Sequence, residues 1–199
     1  ARTIVEDETV SYANKLTEIL RLHQVTNGFV KSNDGAVVEY TNPKMKELVN
    51  ILEETSGKVI IWANYVHNIE SIIQELQKRY GKQSTVAIYG AISTEDRVVG
   101  VKKFQTDPNV RFFVGNPSTG GYGLTLTQAK TVIYYSNSYN LEVRQQSEDR
   151  AHRIGQTDNV LYIDIIARGT IDEMIISSLE NKVKISAKTL GEQVKKWLN

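Results

Sequence analysis

The residues best suited to chemistry lie in the run Gln146-Ser-Glu-Asp-Arg150-Ala-His152-Arg153-Ile-Gly155-Gln156. A helix turning 100° per residue would place Gln146, Arg150 and Arg153 within about 60° of one another. Two permanently charged, fork-shaped guanidinium groups beside an amide suit a phosphate chain, because each presents fixed donors and stabilises charge that develops during phosphoryl transfer. The competing reading of two such arginines alone is a solvated helix on which they pair with Glu148 or Asp149. Upstream, Asn116-Pro-Ser118-Thr119-Gly120-Gly121-Tyr-Gly123 is a second candidate. Glycines let backbone N–H groups approach a phosphate where a Cβ would intervene, and a following helix N-terminus adds partial positive charge. A lone Gly-Gly-x-Gly is more often a turn.

The elements that would position these residues alternate strand and helix. Short runs rich in Val, Ile, Tyr or Phe near 58–63, 85–89, 110–115, 131–135 and 160–167 have the character of buried parallel strands. Helix signals fall between them. Ser93 with Asp96 and Thr170 with Glu173 are capping pairs, Pro43 fits a first turn, Asn140 fits an N-cap and Gly155 a stop. The predicted fold is α/β, a mostly parallel central sheet with helices on both faces. In such sheets ligands bind beyond the carboxyl ends of the strands. The glycine loop follows the strand ending near Val114, and the arginine helix follows the strand ending at Tyr135. Gly121, Gly123, Arg150 and Arg153 are therefore expected at one edge. Residues 1–42 differ, with an amphipathic stretch from Val10 to Leu22 and turn signals at Asn27-Gly28 and Asn33-Asp34-Gly35. The chain shows no internal repeat.

The string Gln146 to Gln156 resembles motif VI of the SWI/SNF-like branch of superfamily-two helicases, the DNA-dependent ATPases. Asn116 to Ala129 with the run Thr131 to Tyr135 resembles motif V and its following strand. Its lead is Asn-Pro-Ser-Thr where remodellers usually carry Ser-Thr-Arg-Ala. Lys58 to Asn64 is similar to motif IV. Thr85 to Gly90, Ser93 to Arg97 and Phe104 to Pro108 resemble a strand, glycine corner and helix of the family, and Gly169 to Glu173 its segment after motif VI. The likeness covers roughly residues 15 to 191.

This resemblance implies a RecA-like C-terminal lobe over residues 43–199 with a helical extension from about 170, preceded by an inter-lobe connector over 1–42. It assigns catalysis to Arg150 and Arg153 as arginine fingers, and nucleotide contact to Gly121, Gly123, Gln146, Arg150 and Arg153. DNA contact falls to Asn64, Tyr65, Tyr89, Gly90, Arg97, Ser118 and Thr119. As plain residues, Tyr65 and Tyr89 could equally be packing, Arg97 a helix-surface charge, and the two hydroxyls caps. Nothing in the chain matches Gly-x-x-x-x-Gly-Lys-Ser/Thr, and no Asp-Glu pair follows an apolar strand in the manner of a Mg²⁺-holding Walker B motif. The implied ATP and Mg²⁺ would thus be held mainly by an N-terminal lobe of the same polypeptide, with duplex DNA as partner, and the lobe alone should be inactive. The motif V variant and lack of long insertions suggest a compact bacterial or phage form, cytoplasmic there and nuclear if eukaryotic.

Composition sets the remaining bounds. The 199 residues, 40% hydrophobic, can bury one sizeable core. Zero cysteines exclude disulfides and thiolate metal sites, and His23, His67 and His152 lack metal-ligand spacing, so no metal site is expected. No apolar run approaches membrane length. A net charge of +1 cannot argue DNA binding, which would need a local surface of amides, hydroxyls and a few cations. Two other classes stand beside the motor lobe: a DNA- or protein-binding module without nucleotide turnover, and a dinucleotide enzyme. The second is disfavoured, since the glycines follow the third strand of the sheet and lack the Gly-x-Gly-x-x-Gly spacing.

Overall fold

The computed structural model describes the backbone of residues 2–5, 8–11, 15–32, 34–119, 124–152 and 159–197, with side chains from residue 16 to residue 188. Its centre is a five-stranded parallel sheet in the order β6-β7-β5-β8-β9. The strands are β5 (Lys58–Trp62), β6 (Thr85–Ile88), β7 (Phe112–Gly115), β8 (Ala129–Tyr134) and β9 (Leu161–Asp164). Each predicted strand is present, and β8 begins earlier than expected because Ala129 already pairs with Lys58.

Alternation along these strands divides the core between two faces. On one face, Val59 and Ile61 of β5 pack with Phe112 and Val114 of β7 and Ile133 of β8. They are covered by Leu48 and Leu52 of α2 (Pro43–Glu54) and by Ile69, Ile72 and Leu76 of α3 (Val66–Tyr80). The other face buries Ile60, Trp62, Phe113, Val132 and Tyr134 against Phe104 of α4 (Thr94–Thr106) and against Ala151. Helices on both faces and strands buried on both sides are the predicted α/β arrangement.

The helix signals are realised in detail. The Asn42 side chain accepts from Lys44 N, with Pro43 in the first turn. Ser93 accepts from Asp96 N, and Asn140 accepts from Glu142 N and Val143 N at the start of α5 (Leu141–Glu148). At α6 (Ile171–Trp197), Thr170 Oγ1 accepts from Asp172 N.

The N-terminal region holds the hairpin β1 (Arg2–Val5) and β2 (Glu8–Ser11), the helix α1 (Lys15–Thr26), and the hairpin β3 (Phe29–Lys31) and β4 (Val37–Glu39). Ile19 of α1 packs on Ile171, Ile175 and Leu179 of α6. A buried polar cluster fastens α1 to the sheet domain. Asp172 takes Lys44 Nζ at 2.5 Å and Thr26 Oγ1 at 3.3 Å, and lies 3.8 Å from His23 Nε2. Asn42 and Asn68 both donate to the Asn27 carbonyl, at 2.9 and 2.8 Å.

Candidate functional site

The connection leaving β5 runs by α3 on one face toward β6, and that leaving β8 runs by α5 on the other face toward β9. Adjacent strands whose connections leave in opposite directions create a crevice at their carboxyl ends. Here that crevice lies between β5 and β8. Asn64 N donates to Ser136 Oγ across it at 2.9 Å, and Asn116 Nδ2 donates to the Asn64 carbonyl at 2.8 Å from the end of β7. The loop after β7 is a compact turn. Asn116 Oδ1 accepts from Ser118 N, and its carbonyl accepts both Thr119 N and Thr119 Oγ1. Ser118 is exposed at the tip. Gly115 is required just before this turn, because a Cβ there would lie 2.6 Å from the Ile88 carbonyl oxygen and 3.1 Å from Trp62 Cζ3.

The arginine segment differs from the continuous helix that the spacing predicts. The helix α5 ends at Glu148, and residues 149–152 form a turn. Past this end Ala151 N and His152 N both donate to the Glu148 carbonyl at 3.1 Å, Ala151 enters the core beneath β8, and the Arg150 carbonyl accepts from Leu126 N at 2.9 Å. Gln146 and Arg150 differ in exposure. Gln146 is exposed and donates to Glu142 Oε1 one turn back, at 3.0 Å. Arg150 is only 6% exposed, with its guanidinium 5.3 Å from the centre of the Trp62 ring.

Among the described residues Arg150 Nη1 is buried without a hydrogen-bond partner, as are Trp62 Nε1 and Asn64 Nδ2. Burial draws the Arg150 guanidinium below its ordinary value, opposed by Tyr134. It remains charged, as arginine does in proteins. Buried donors left unpaired cost free energy, and these three lie near one another: Asn64 follows β5, Trp62 ends it, and the Arg150 guanidinium sits by the Trp62 ring. Gly121, Gly123 and Arg153 lie outside the described residues, as does the stop expected at Gly155.

The other candidates form two groups. Asn64, Ser118 and Thr119 gather at the crevice. Tyr89, Gly90 and Arg97 gather at the end of β6, where Arg97 Nη2 donates to the Tyr89 carbonyl at 3.2 Å. The Tyr89 hydroxyl reaches Glu70 at 3.4 Å, and Arg97 Nε is buried without a partner among the described residues. Gly90 is exposed, and no described residue lies within 4 Å of a Cβ built there, so packing among them does not demand glycine. Tyr65 is engaged inward. Its hydroxyl meets His23 Nδ1 at 2.9 Å and its ring packs edge-on to Phe29, a packing role toward the N-terminal region.

Sequence reasoning missed Arg144. Its guanidinium donates to Asp164 at 2.5 and 3.2 Å, to Asn137 Oδ1 at 2.8 Å and to Glu148 Oε1 at 2.6 Å, and stacks 3.5 Å from the Tyr134 ring centre. Burial would lower its pKa, yet the hydrogen bonds to Asp164 and Glu148 hold it above the ordinary value. The one advance signal was the Arg144–Glu148 spacing of four. Among the described residues there is no cluster of His, Asp or Glu able to hold a metal ion, and no helix long and apolar enough to cross a membrane.

The helicase conserved C-terminal domain family matches residues 43–155, a span that includes both loops of the crevice. The chain belongs to this family. It is 36% identical over 132 residues to the chromatin-remodeling ATPase INO80 of Neurospora crassa, covering 66% of this chain and 6% of that one. It is 31% identical over 196 residues to an uncharacterized ATP-dependent helicase of Mycoplasma genitalium, covering 97% of this chain and 19% of that one. The structure of a Sulfolobus solfataricus SWI2/SNF2 ATPase core in complex with dsDNA superposes with a TM-score of 0.66 at 29% identity, over 83% of this chain and 36% of that one. The C-terminal part of the Fun30 ATPase domain gives 0.63 at 26% identity, over 70% of this chain and 46% of that one. The helicase C-terminal domain is thus of the SNF2-like ATPase kind. The chain spans only 6% and 19% of the length of those two curated relatives. They come from a fungus and a mycoplasma and do not single out a bacterial or phage source.

Proposed function

We propose that the chain is the second motor lobe of a DNA-dependent ATPase and translocase, working with an N-terminal lobe of the same polypeptide that carries the P-loop. The observation carrying this reading is the buried Arg150 guanidinium with an unpaired Nη1 at the switch point between β5 and β8. ATP with Mg²⁺, gripped mainly by the other lobe, supplies the phosphoryl group and the energy of its transfer. Arg150 and Arg153 stabilise the charge that builds on the phosphate oxygens, and closure of the lobes brings them into contact. Gly121 and Gly123 offer backbone donors, and exposed Gln146 borders the same segment.

Duplex DNA lies along the strand ends and meets Asn64, Tyr89, Gly90, Arg97, Ser118 and Thr119. Two exposed positions, Gly90 with open space around its Cα among the described residues and Ser118 at the tip of its turn, fit close approach of a phosphate backbone. Tyr65 holds its loop against His23 and Phe29 instead. Residues 1–42 act as the connector between lobes.

Steady-state ATP hydrolysis by the full-length protein, with and without duplex DNA, tests the assignment. DNA should stimulate the wild type, and Arg150→Ala or Arg153→Ala should lower turnover by about 10³-fold or more. Folded variants of both that keep near-normal turnover would overturn it.

A further inference from the structure

We infer that Arg144 is a positioning residue, which holds the turn carrying Arg150 at the crevice and keeps Arg150 free of internal carboxylates. This rests on the role proposed above for Arg150.

Little besides Arg144 holds α5 among the described residues. Only Ser147 of its residues is buried, and that contact is polar, a 2.6 Å hydrogen bond to the Tyr134 hydroxyl. Leu141 touches the small cluster at α6 from the first turn, far along the helix from Arg150. The last two turns depend on Arg144 and its neighbours. One guanidinium spans four partners: Asp164 at the end of β9, Asn137 after β8, Glu148 at the end of α5, and the Tyr134 face. Asn137 Nδ2 in turn donates to Asp164 at 2.6 Å, which closes the network. Tyr162 of β9 donates to the Glu148 carbonyl at 3.2 Å, where the helix ends.

Geometry and charge then act together. A bidentate arginine with a stacked face fixes direction as well as distance, which a lysine cannot do. It also occupies two carboxylates, Asp164 at the end of β9 and Glu148 at the end of α5. Arg150 has no carboxylate partner among the described residues, although its guanidinium is buried and desolvated. A guanidinium that must meet a phosphate cannot already be neutralised by its own helix. Misplacement of a reacting group by about 1 Å can cost about 10² in rate.

The test uses the full-length protein and four variants: Arg144→Met, Arg144→Lys, Arg150→Ala and Arg144→Met/Arg150→Ala. Arg144→Met should lower DNA-stimulated kcat by at least about tenfold while KM for ATP stays within about twofold. Arg144→Lys should fall between, and it carries the same comparison if Arg144→Met does not fold. If Arg144 acts through Arg150, the double variant should be no slower than Arg150→Ala alone. Amide exchange at residues 145–152 should quicken in Arg144→Met while β5 and β7 keep their protection. Wild-type kcat in Arg144→Met and Arg144→Lys, losses that multiply in the double variant, or unchanged exchange at 145–152 would each overturn the inference. Normal turnover in Arg150→Ala would instead sink the parent reading, and the exchange result alone then decides whether Arg144 is the clamp.

Discussion

Replacing Lys44 by methionine isolates the contact that ties α1 and α6 to the sheet domain. Lys44 Nζ lies 2.5 Å from Asp172 Oδ2, with the two side chains 4% and 7% exposed, and also donates to the Tyr135 carbonyl at 3.3 Å. Methionine has nearly the same length, so packing is kept and the charge removed. Breaking a buried pair from one side costs about 3–5 kcal/mol, because the remaining ion is left uncompensated. Asp172 would retain Ala167 N at 3.0 Å and Thr26 Oγ1 at 3.3 Å, which places the expected loss near the lower end, about 3 kcal/mol. With a urea slope of about 2 kcal/mol per M, the midpoint should fall by about 1.5 M. The assay is urea unfolding followed by tryptophan fluorescence. Lys44→Met/Asp172→Asn should regain more than half of the loss, since asparagine keeps an acceptor for Ala167 N without a stranded charge. A single-variant loss below about 1 kcal/mol, or a double variant equal to the sum of its singles, would refute the claim that charge in this cluster anchors the N-terminal region.

The same cluster predicts acid sensitivity. Burial pushes the His23 pKa down to about 4, with Asp172 opposing and Lys44 assisting. The unfolded chain binds a proton near pH 6.5 and the folded protein resists it, so the contribution is complete above about 6.5 and is lost as pH falls toward 4. It amounts to about 3 kcal/mol at most. Denaturation from pH 7.5 to 4.5 should show a shallower decline in His23→Gln than in wild type, and parallel curves would exclude the assignment. At the crevice, Gly115→Ala would set a Cβ 2.6 Å from the Ile88 carbonyl oxygen, which Asn116 N already engages at 3.2 Å. Such overpacking costs about 1–3 kcal/mol, so thermal unfolding should drop by about 2–12 °C, and an unchanged melting temperature would contradict the packing argument.

The sheet was readable because its strands are buried on both faces. Val59-Ile60-Ile61-Trp62 and Phe112-Phe113-Val114 have almost no polar interruption, and such runs bounded by turns leave little choice of element. The caps at Ser93 and Asn140 were readable because a side chain satisfies backbone donors only two or three residues away, whereas Asn42 was not singled out beside Pro43. The end of α5 was not. Sequence periodicity carries the helix on to Gly155, whereas α5 gives way after Glu148 to a turn whose Arg150 carbonyl is taken by Leu126 N, a residue remote in sequence. For the same reason Tyr65 looked available to a ligand: its partner His23 lies 42 residues away in a region of unrelated pattern.

Arg144 and Arg150 show how environment, not residue type, divides labour between two arginines of one short segment. Both are cations beside aromatic rings, Arg144 half-buried on Tyr134 and Arg150 buried by Trp62. Arg144 is surrounded by two carboxylates and an amide that satisfy its donors, so its burial is compensated and it serves as a strut. Arg150 sits two residues beyond the end of α5 with a spare donor and no internal counter-ion among the described residues. Among the described residues its charge meets no carboxylate, which suits an anion arriving from outside, as proposed above. A surface helix with paired arginines would show neither asymmetry. The contrast supports the phosphate reading proposed for this segment, and it does so through contacts that the spacing of the arginines could not reveal.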